Sequence, residues 1–222
     1  MKSSTCIYCG KEPKYDMDHV PPRSLFPPDL PPEIELTTAP ACKICHKKNQ
    51  KDDTTIRNIL VSIREHENHP IIKQHLSGKM SRSLERSARW EKGDFRKLLD
   101  NIMIKEEFDK DGRSLGFAPA FELDSPLFKR FIERLSRCLL WYNCAQGYFV
   151  GEFDYKINQD IPDELYSALY QRNLLIKVHD VFAYGHTSFG RNDTAYIIAQ
   201  FYGWLEFFIR IKKSNKTVRN EF

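Results

Sequence analysis

Cys6-Ile7-Tyr8-Cys9 and Cys42-Lys43-Ile44-Cys45 are two Cys-x-x-Cys pairs, and they decide how the first part of the chain folds. A two-residue gap lets both sulfurs of a pair point at one centre, so two pairs supply the four thiolates of a tetrahedral zinc ion. A redox centre would need only one such pair. The sequence therefore predicts a structural Zn²⁺ bound by Cys6, Cys9, Cys42 and Cys45.

A second group of polar residues lies between the cysteine pairs and just after them. Asp18 and His19 precede Pro21-Pro22, and His46 follows the second pair. Because four cysteines already fill a zinc shell, Asp18 and His46 are free to bind a harder divalent cation, and His19 to act as a general base. Gln50, one helical turn after His46, could add an oxygen to that cation's shell or only contact its water, and Asn49 is the less favourable contact. Alternatively, His19 is an ordinary core or surface residue, His46 is a zinc-ribbon residue that replaces a cysteine, and Asp18 only supports the zinc ligands.

Four pieces of roughly the first quarter of the chain, taken together, resemble one enzyme family. They are Cys-x-x-Cys, Asp-His-Val-Pro-Pro-Arg-Ser-Leu-Phe from residue 18, Pro-Ala-Cys-x-x-Cys-His from residue 40, and Lys51-Asp52-Asp53. This combination is similar to the zinc-ribbon type of HNH endonuclease, in the ββα-metal superfamily.

The resemblance implies a role for each matching residue. His19 would be the base that activates water, and Asp18 and His46 would hold one catalytic Mg²⁺, Mn²⁺ or similar ion. Glu35 stands where the family pattern usually has its middle Asn, and its carboxylate would brace the loop that carries the base. The implied activity is hydrolysis of phosphodiester bonds in DNA to a 5′ phosphate and a 3′ hydroxyl, with phage defence or restriction as the setting.

The composition fits a globular, cytoplasmic protein. The chain has 222 residues, 41% hydrophobic and 13% aromatic, enough for one good core and a small appended module. No apolar run of about 18 residues is present, so we expect neither export nor membrane insertion. In a reducing compartment Cys138 and Cys144 are expected to be core thiols. A net charge of +4 is mildly favourable to a polyanionic partner without establishing one.

The fold class that we predict is α+β, in three regions. Residues 1–62 form the zinc-stapled ββα-metal (HNH) module, 63–101 a basic helical connector, and 102–222 a mixed helix and antiparallel-sheet domain of unknown role. Inside the first region, a strand from Tyr15 to Val20 would pair with a return strand from Ile34 to Thr38. A helix would follow from Cys45 onward, since its apolar residues recur with a helical period.

Several arginines are candidates for contact with nucleic acid. Arg82, Arg86 and Arg89 recur at spacings of four and three, which stacks them along one helix face. Such a stripe either follows phosphates or is simply a solvated helix face. Arg23, four residues after His19, would clamp the scissile phosphate or pair only with Asp29 or Glu33.

The third region has both helical and strand patterns. Segments 102–108, 115–123, 148–157 and 175–189 are β-rich, and a strong amphipathic helix begins at residues 124–126 and continues to Tyr142. Residues 195–211 are interpreted as one or two strands of the same sheet, because β-branched and aromatic residues dominate them. A helix over 195–211 is the alternative.

Two other functions stay open from the sequence. The chain could be a zinc-ribbon nucleic-acid-binding or assembly subunit whose nuclease centre has decayed, as Glu35 in the middle position would suggest. It could also be one subunit of a defence complex that is silent alone. The expected partner is nucleic acid, most plausibly DNA, with a homo-oligomer or a partner subunit as further expectations.

Overall fold

The structure is a computed structural model, and its described residues combine α-helices with antiparallel β-sheets. The described residues are 5–63, 66, 68–76, 78, 80–82, 85, 96, 99–145, 147–157, 176–190 and 192–214. The α+β class that the sequence predicts is therefore confirmed. Within these ranges no helix has both the length and the apolar character that are needed to cross a bilayer.

The first part of the chain contains two short strands followed by a helix. Strand β1 (Asp16–His19) pairs antiparallel with β2 (Thr38–Ala41), and a 3₁₀ turn (Arg23–Leu25) lies in the connection between them. Helix α1 (Lys43–Ser62) follows β2 directly, as predicted. Cys42 is its N-cap, with the sulfur accepting a hydrogen bond from the backbone N–H of Cys45 at 3.4 Å.

The predicted return strand is displaced in the structure. The prediction of a strand from Ile34 to Thr38 is wrong, since the observed strand begins at Thr38 and continues through Pro40. Proline lacks an N–H and is rare inside a sheet, which led the prediction to stop before it. In this two-stranded sheet Pro40 lies opposite Met17, and its carbonyl accepts a hydrogen bond from the N–H of Ile7 at 3.0 Å.

The later part of the chain contains a hairpin, a long helix and a larger sheet. Strands β3 (Ile102–Phe108) and β4 (Ser114–Phe121) form the hairpin, and helix α2 (Pro126–Cys144) follows. The larger sheet is antiparallel, with strand order β5-β9-β8-β7-β6. Its strands are β5 (Gly151–Ile157), β6 (Ile176–Val178), β7 (Phe182–His186), β8 (Thr194–Phe201) and β9 (Leu205–Lys213).

Most elements predicted for this part are confirmed, with shifted ends. The 195–211 segment forms two strands and not a helix, with a turn at Gly203 in the left-handed region at φ 75°. The β-rich segment 175–189 is two strands, because His179 takes a positive φ of 57° and turns the chain between them. The amphipathic helix begins as predicted, with Ser125 as N-cap and Pro126 in its first turn.

Helix α2 lies between the first part of the chain and the larger sheet. One side packs on the sheet, where Phe128 stacks on Phe207 with ring centroids 6.3 Å apart. The other side contacts α1 and β2. Tyr202 adds a buried link, since its hydroxyl donates to the carbonyl of Leu25 at 3.0 Å. One apolar cluster thus joins residues from both parts of the chain, while the predicted boundaries at 62 and 101 stay predictions.

Candidate metal centre and active site

Four cysteine side chains converge at the start of the fold. The sulfurs of Cys6, Cys9, Cys42 and Cys45 all lie within 4.8 Å of one another, and those of Cys9 and Cys42 are 4.0 Å apart. Tetrahedral zinc with bonds of about 2.3 Å places its sulfurs about 3.8 Å apart. The four close cysteines can therefore bind a structural metal such as zinc, as predicted.

The backbone around the cysteines explains this convergence. Gly10 has a φ of 69°, and its N–H donates to the carbonyl of Cys6 at 2.9 Å, which closes the first knuckle. The second pair lies at the first turn of α1, where one helical turn brings Cys42 and Cys45 to the same side. Burial raises the pKa of the Cys6 and Cys45 thiols, so a bound cation is needed to keep these sulfurs as thiolates.

A cleft of about 230 Å³ beside this cluster contains the residues singled out for chemistry. Its walls include Asp18 and His19 from β1, Arg23 from the 3₁₀ turn, and His46 and Asp53 from α1. The antiparallel pairing of β1 with β2 places His19 opposite Thr38, and α1 begins two residues after β2 ends. The short ββα arrangement thus brings two distant sequence segments to one opening.

Asp18 and His46 face each other inside this cleft. Asp18 is 3% exposed, and its Oδ2 accepts a hydrogen bond from Asn49 Nδ2 at 2.7 Å. Its Oδ1 lies 3.6 Å from His46 Nδ1, a buried nitrogen that has no hydrogen-bond partner within the described ranges. This distance is too long for a hydrogen bond. Neighbouring ligands of an octahedral Mg²⁺ lie about 3 Å apart, so an oxygen and a nitrogen placed in this way fit one divalent cation.

Two amide side chains on α1 support this pair. The Gln50 side-chain amide lies 2.9 Å from His46 Nε2, on the ring edge opposite Nδ1. With the amide turned so that its oxygen accepts from Nε2–H, Nδ1 is left without a proton and can bind a cation. Gln50 therefore orients the imidazole, whereas the sequence suggested it as an oxygen ligand. Asn49, which the sequence ranked as the less favourable contact, holds the carboxylate of Asp18.

His19 is exposed, as is Gln50, among the residues that line the cleft. Partial desolvation lowers the pKa of its imidazole below the ordinary value, although the neighbouring Asp18 carboxylate raises it and Arg23 lowers it. The ring is therefore largely neutral near pH 7. A neutral, accessible imidazole beside a buried carboxylate can accept a proton from water.

The other predicted site residues have different surroundings. Glu35 is exposed in the loop before β2, and it is the carbonyl of Thr37 that accepts the Val20 N–H at 3.0 Å beside the base. Arg23 donates to the carbonyls of Pro27 and Pro28 at 2.6 and 3.1 Å, so it holds the proline-rich loop while lining the cleft. Arg82 is exposed, and Arg86 and Arg89 lie outside the described residues.

Arg134, which was not predicted from the sequence, is a buried charge that binds a residue of the cleft. Arg134 of α2 is 5% exposed and donates to the carboxylate of Asp53 on α1. Its pKa stays high, since burial lowers it but Asp53 and Asp18 raise it. A signal was present, because Arg134 follows Phe131 by three residues and precedes Cys138 by four on the apolar stripe of α2. A charged residue on such a stripe indicates a buried partner.

In comparisons with known proteins the chain matches no family model, no curated protein and no solved structure. The resemblance to HNH endonucleases therefore rests on the sequence motifs at residues 6–9, 18–26, 40–46 and 51–53.

Proposed function

We propose that this protein is a metal-dependent endonuclease of the HNH type, which hydrolyses phosphodiester bonds in DNA with His19 as the general base. The observation that supports this most is the cleft in which His19, Asp18 and His46 are brought together from β1 and α1. An accessible imidazole beside an oxygen and a nitrogen ligand is the minimum set for metal-assisted hydrolysis.

Asp18 and His46 are the residues that would hold the catalytic cation. Their facing atoms, Oδ1 and Nδ1, are spaced like adjacent ligands of one cation, and Nδ1 is a buried nitrogen with no hydrogen bond to any residue that the structure describes. Asn49 and Gln50 fix the two side chains from behind. A bound Mg²⁺ or Mn²⁺ would supply charge stabilisation at the scissile phosphate and the leaving 3′ oxygen.

The proton chemistry belongs to His19. Its neutral imidazole takes a proton from the attacking water, and the carboxylate of Asp18 beside it stabilises the imidazolium that results. Arg23 lines the same opening. In the described part of the chain its side chain donates two hydrogen bonds, both to carbonyls of the proline-rich loop. Because a guanidinium carries five N–H donors, Arg23 has donors left for a phosphate oxygen.

The substrate and setting are part of the same proposal. A net charge of +4 favours a polyanion, and a structural zinc would keep the knuckles that support β1 and α1 in place. DNA in the cytoplasm is the partner that we propose, with restriction or phage defence as the role.

Cleavage of supercoiled plasmid with and without Mg²⁺ or Mn²⁺ tests the proposal. The informative pair is Asp18→Asn, which removes a cation ligand, and Asp16→Asn, which changes an exposed carboxylate on the same strand. Wild type and Asp16→Asn should cut only with a divalent ion, and Asp18→Asn should lose on the order of 100-fold in rate. DNA binding by wild type without cleavage under any divalent metal would contradict the proposal and favour a binding subunit.

A further inference from the structure

We infer that a second opening, between α1 and α2, is a phosphate-binding pocket. This pocket of about 150 Å³ is lined from α1 by Lys48 and Asn49, from α2 by Arg130, Arg134 and Arg137, and by Tyr8. Lys48, Asn49 and Asp52 lie on a different face of α1 from His46, Gln50 and Thr54, which line the cleft with His19. The pocket is therefore separate from the proposed active site.

Unpaired hydrogen-bond donors indicate that this pocket has an occupant. Arg134 is 5% exposed, and while one nitrogen donates to Asp53, its Nε and Nη1 are buried with no hydrogen-bond partner among the described residues. The hydroxyl of Tyr8 is also buried, with no hydrogen bond in the part of the chain that the structure describes, and both residues line the pocket. Buried donors are nearly always satisfied in folded proteins. An acceptor with several oxygens in the pocket would satisfy them together.

The charges around the pocket favour an anion. Its lining carries four cations against two carboxylates, those of Asp52 and Glu133. Arg130 is bound to Asp52 through two nitrogens, at 3.0 and 3.2 Å, and Arg137 is bound to Glu133 at 2.9 and 3.0 Å. Lys48 is exposed and forms no ion pair within the described part of the chain.

Lys48 is therefore the cation of this lining that has no ion pair in the described part of the chain, while Arg134, whose charge is paired with Asp53, offers its remaining N–H groups as hydrogen-bond donors. The partner of Arg134, Asp53, lies on its other side and lines the cleft with Asp18. A ligand in the pocket would therefore meet the exposed ammonium of Lys48 and two nitrogens of the buried Arg134 guanidinium.

The size and geometry of the pocket select a phosphate group. Sites for whole small molecules usually measure about 300–1,000 Å³, so this smaller pocket takes one group while the rest of the ligand stays outside. The guanidinium of Arg134, the ammonium of Lys48 and the phenol of Tyr8 line the pocket from three separate positions. Donors arranged in this way suit a tetrahedral oxyanion better than a planar carboxylate.

Two side chains connect the pocket with residues that line the cleft. Asn49 lines the pocket and also donates to Asp18, and Arg134 lines it and also binds Asp53. A phosphate held here would belong either to the DNA strand beside the scissile bond or to a free phosphate compound. Only the first identification rests on the proposed nuclease function, since binding of phosphate itself does not require cleavage.

Calorimetric titration of the full, zinc-loaded chain with inorganic phosphate, at constant ionic strength and without added Mg²⁺ or Mn²⁺, tests the inference. Lys48→Ala and Lys47→Ala are a matched pair, because both lysines are exposed on α1 and only Lys48 lines the pocket. We expect Lys47→Ala to bind as wild type does and Lys48→Ala to bind about tenfold more weakly. Arg134→Gln should abolish binding, with its fold checked by circular dichroism.

Two results would overturn the inference. One is the absence of binding to wild type at tens of millimolar phosphate, and the other is equal binding by the two lysine variants. A titration with a short single-stranded oligonucleotide then distinguishes the sources of the phosphate. If Lys48→Ala also weakens oligonucleotide binding, the pocket takes a DNA phosphate, and if it weakens only inorganic phosphate, the ligand is a free phosphate compound.

Discussion

Arg134 on α2 and Asp53 on α1 form an ion pair that is almost closed to solvent, with side chains 5% and 15% exposed. The two residues are 81 positions apart in the sequence, so the pair fixes the long helix of the later part of the chain against the helix that carries His46. Since Asp53 also lines the cleft with Asp18 and His19, the pair connects the packing of the two helices to the proposed active site.

Breaking this pair from one side should destabilise the fold strongly. Arg134→Met leaves the carboxylates of Asp53 and Asp18 buried without a cation, and removal of one partner of a buried pair costs about 3–5 kcal/mol. Arg130→Met is the control, because Arg130 binds Asp52 in the same helix contact but is 43% exposed, and exposed pairs contribute about 0–1 kcal/mol. Urea unfolding measures both changes, and equal losses for the two variants would contradict the assigned role of the buried pair.

The stability of the fold should depend on pH through Asp53. Burial raises the pKa of this carboxyl from 3.8 to about 6, although Arg134 opposes the rise. Between these two values the folded state holds more protons than the unfolded state, so this group's contribution to the free energy of unfolding decreases as the pH rises.

Asp53→Asn removes this titration. From about pH 4 to about pH 6, wild type should lose stability relative to Asp53→Asn, and the difference should become constant above about pH 7. Urea unfolding of both proteins at several pH values provides the measurement. Wild type gaining stability relative to the variant over the same range would show that the pKa is lowered instead.

Removal of a cysteine ligand should unfold the first part of the chain. Cys42 is both a member of the four-cysteine cluster and the N-cap of α1, so Cys42→Ser is expected to lose zinc and on the order of 5 kcal/mol or more of stability. Cys144→Ser, which changes a thiol outside the cluster, should keep its zinc. The zinc content of both variants is measured by atomic emission. Retention of zinc by Cys42→Ser would contradict the assignment of the four cysteines as its ligands.

Gly10 offers a test of how closely the first knuckle approaches the later part of the chain. A Cβ at this position would lie 2.6 Å from Cγ of the Tyr148 ring, and the backbone there has a positive φ of 69°. Gly112 has a similar φ of 78° with nothing near its Cβ, so Gly112→Ala isolates the backbone effect, about 1–2 kcal/mol. Gly10→Ala should cost clearly more in thermal unfolding; an equal cost would mean that the Tyr148 ring moves aside freely.

Most of the fold could be predicted from local sequence patterns. The cysteine spacing predicted the cluster, the period of apolar residues predicted α1 and α2, and aromatic and β-branched residues predicted β8 and β9. The return strand was misplaced because it contains Pro40, which an edge strand of a two-stranded sheet tolerates, and the local sequence does not reveal how many strands the sheet has.

The same limit applies to the site. Asp18, His19 and His46 were found because each belongs to a short motif. Arg134 was not, because its role depends on α2 packing against α1 and reaching Asp53, a contact between residues 81 positions apart. Asn49 was ranked below Gln50 for a related reason. Its role depends on a hydrogen bond to Asp18, which lies 31 positions earlier in the sequence.

The most direct test of the nuclease account is single-turnover cleavage of plasmid DNA by His19→Ala at saturating Mn²⁺. His186→Ala is the control, because this histidine belongs to β7 in the larger sheet and lies outside the cleft. We predict that His19→Ala retains zinc and DNA binding while its rate falls about 100- to 10,000-fold, and that His186→Ala cleaves as wild type does. Cleavage by purified His19→Ala at the wild-type rate would contradict the account.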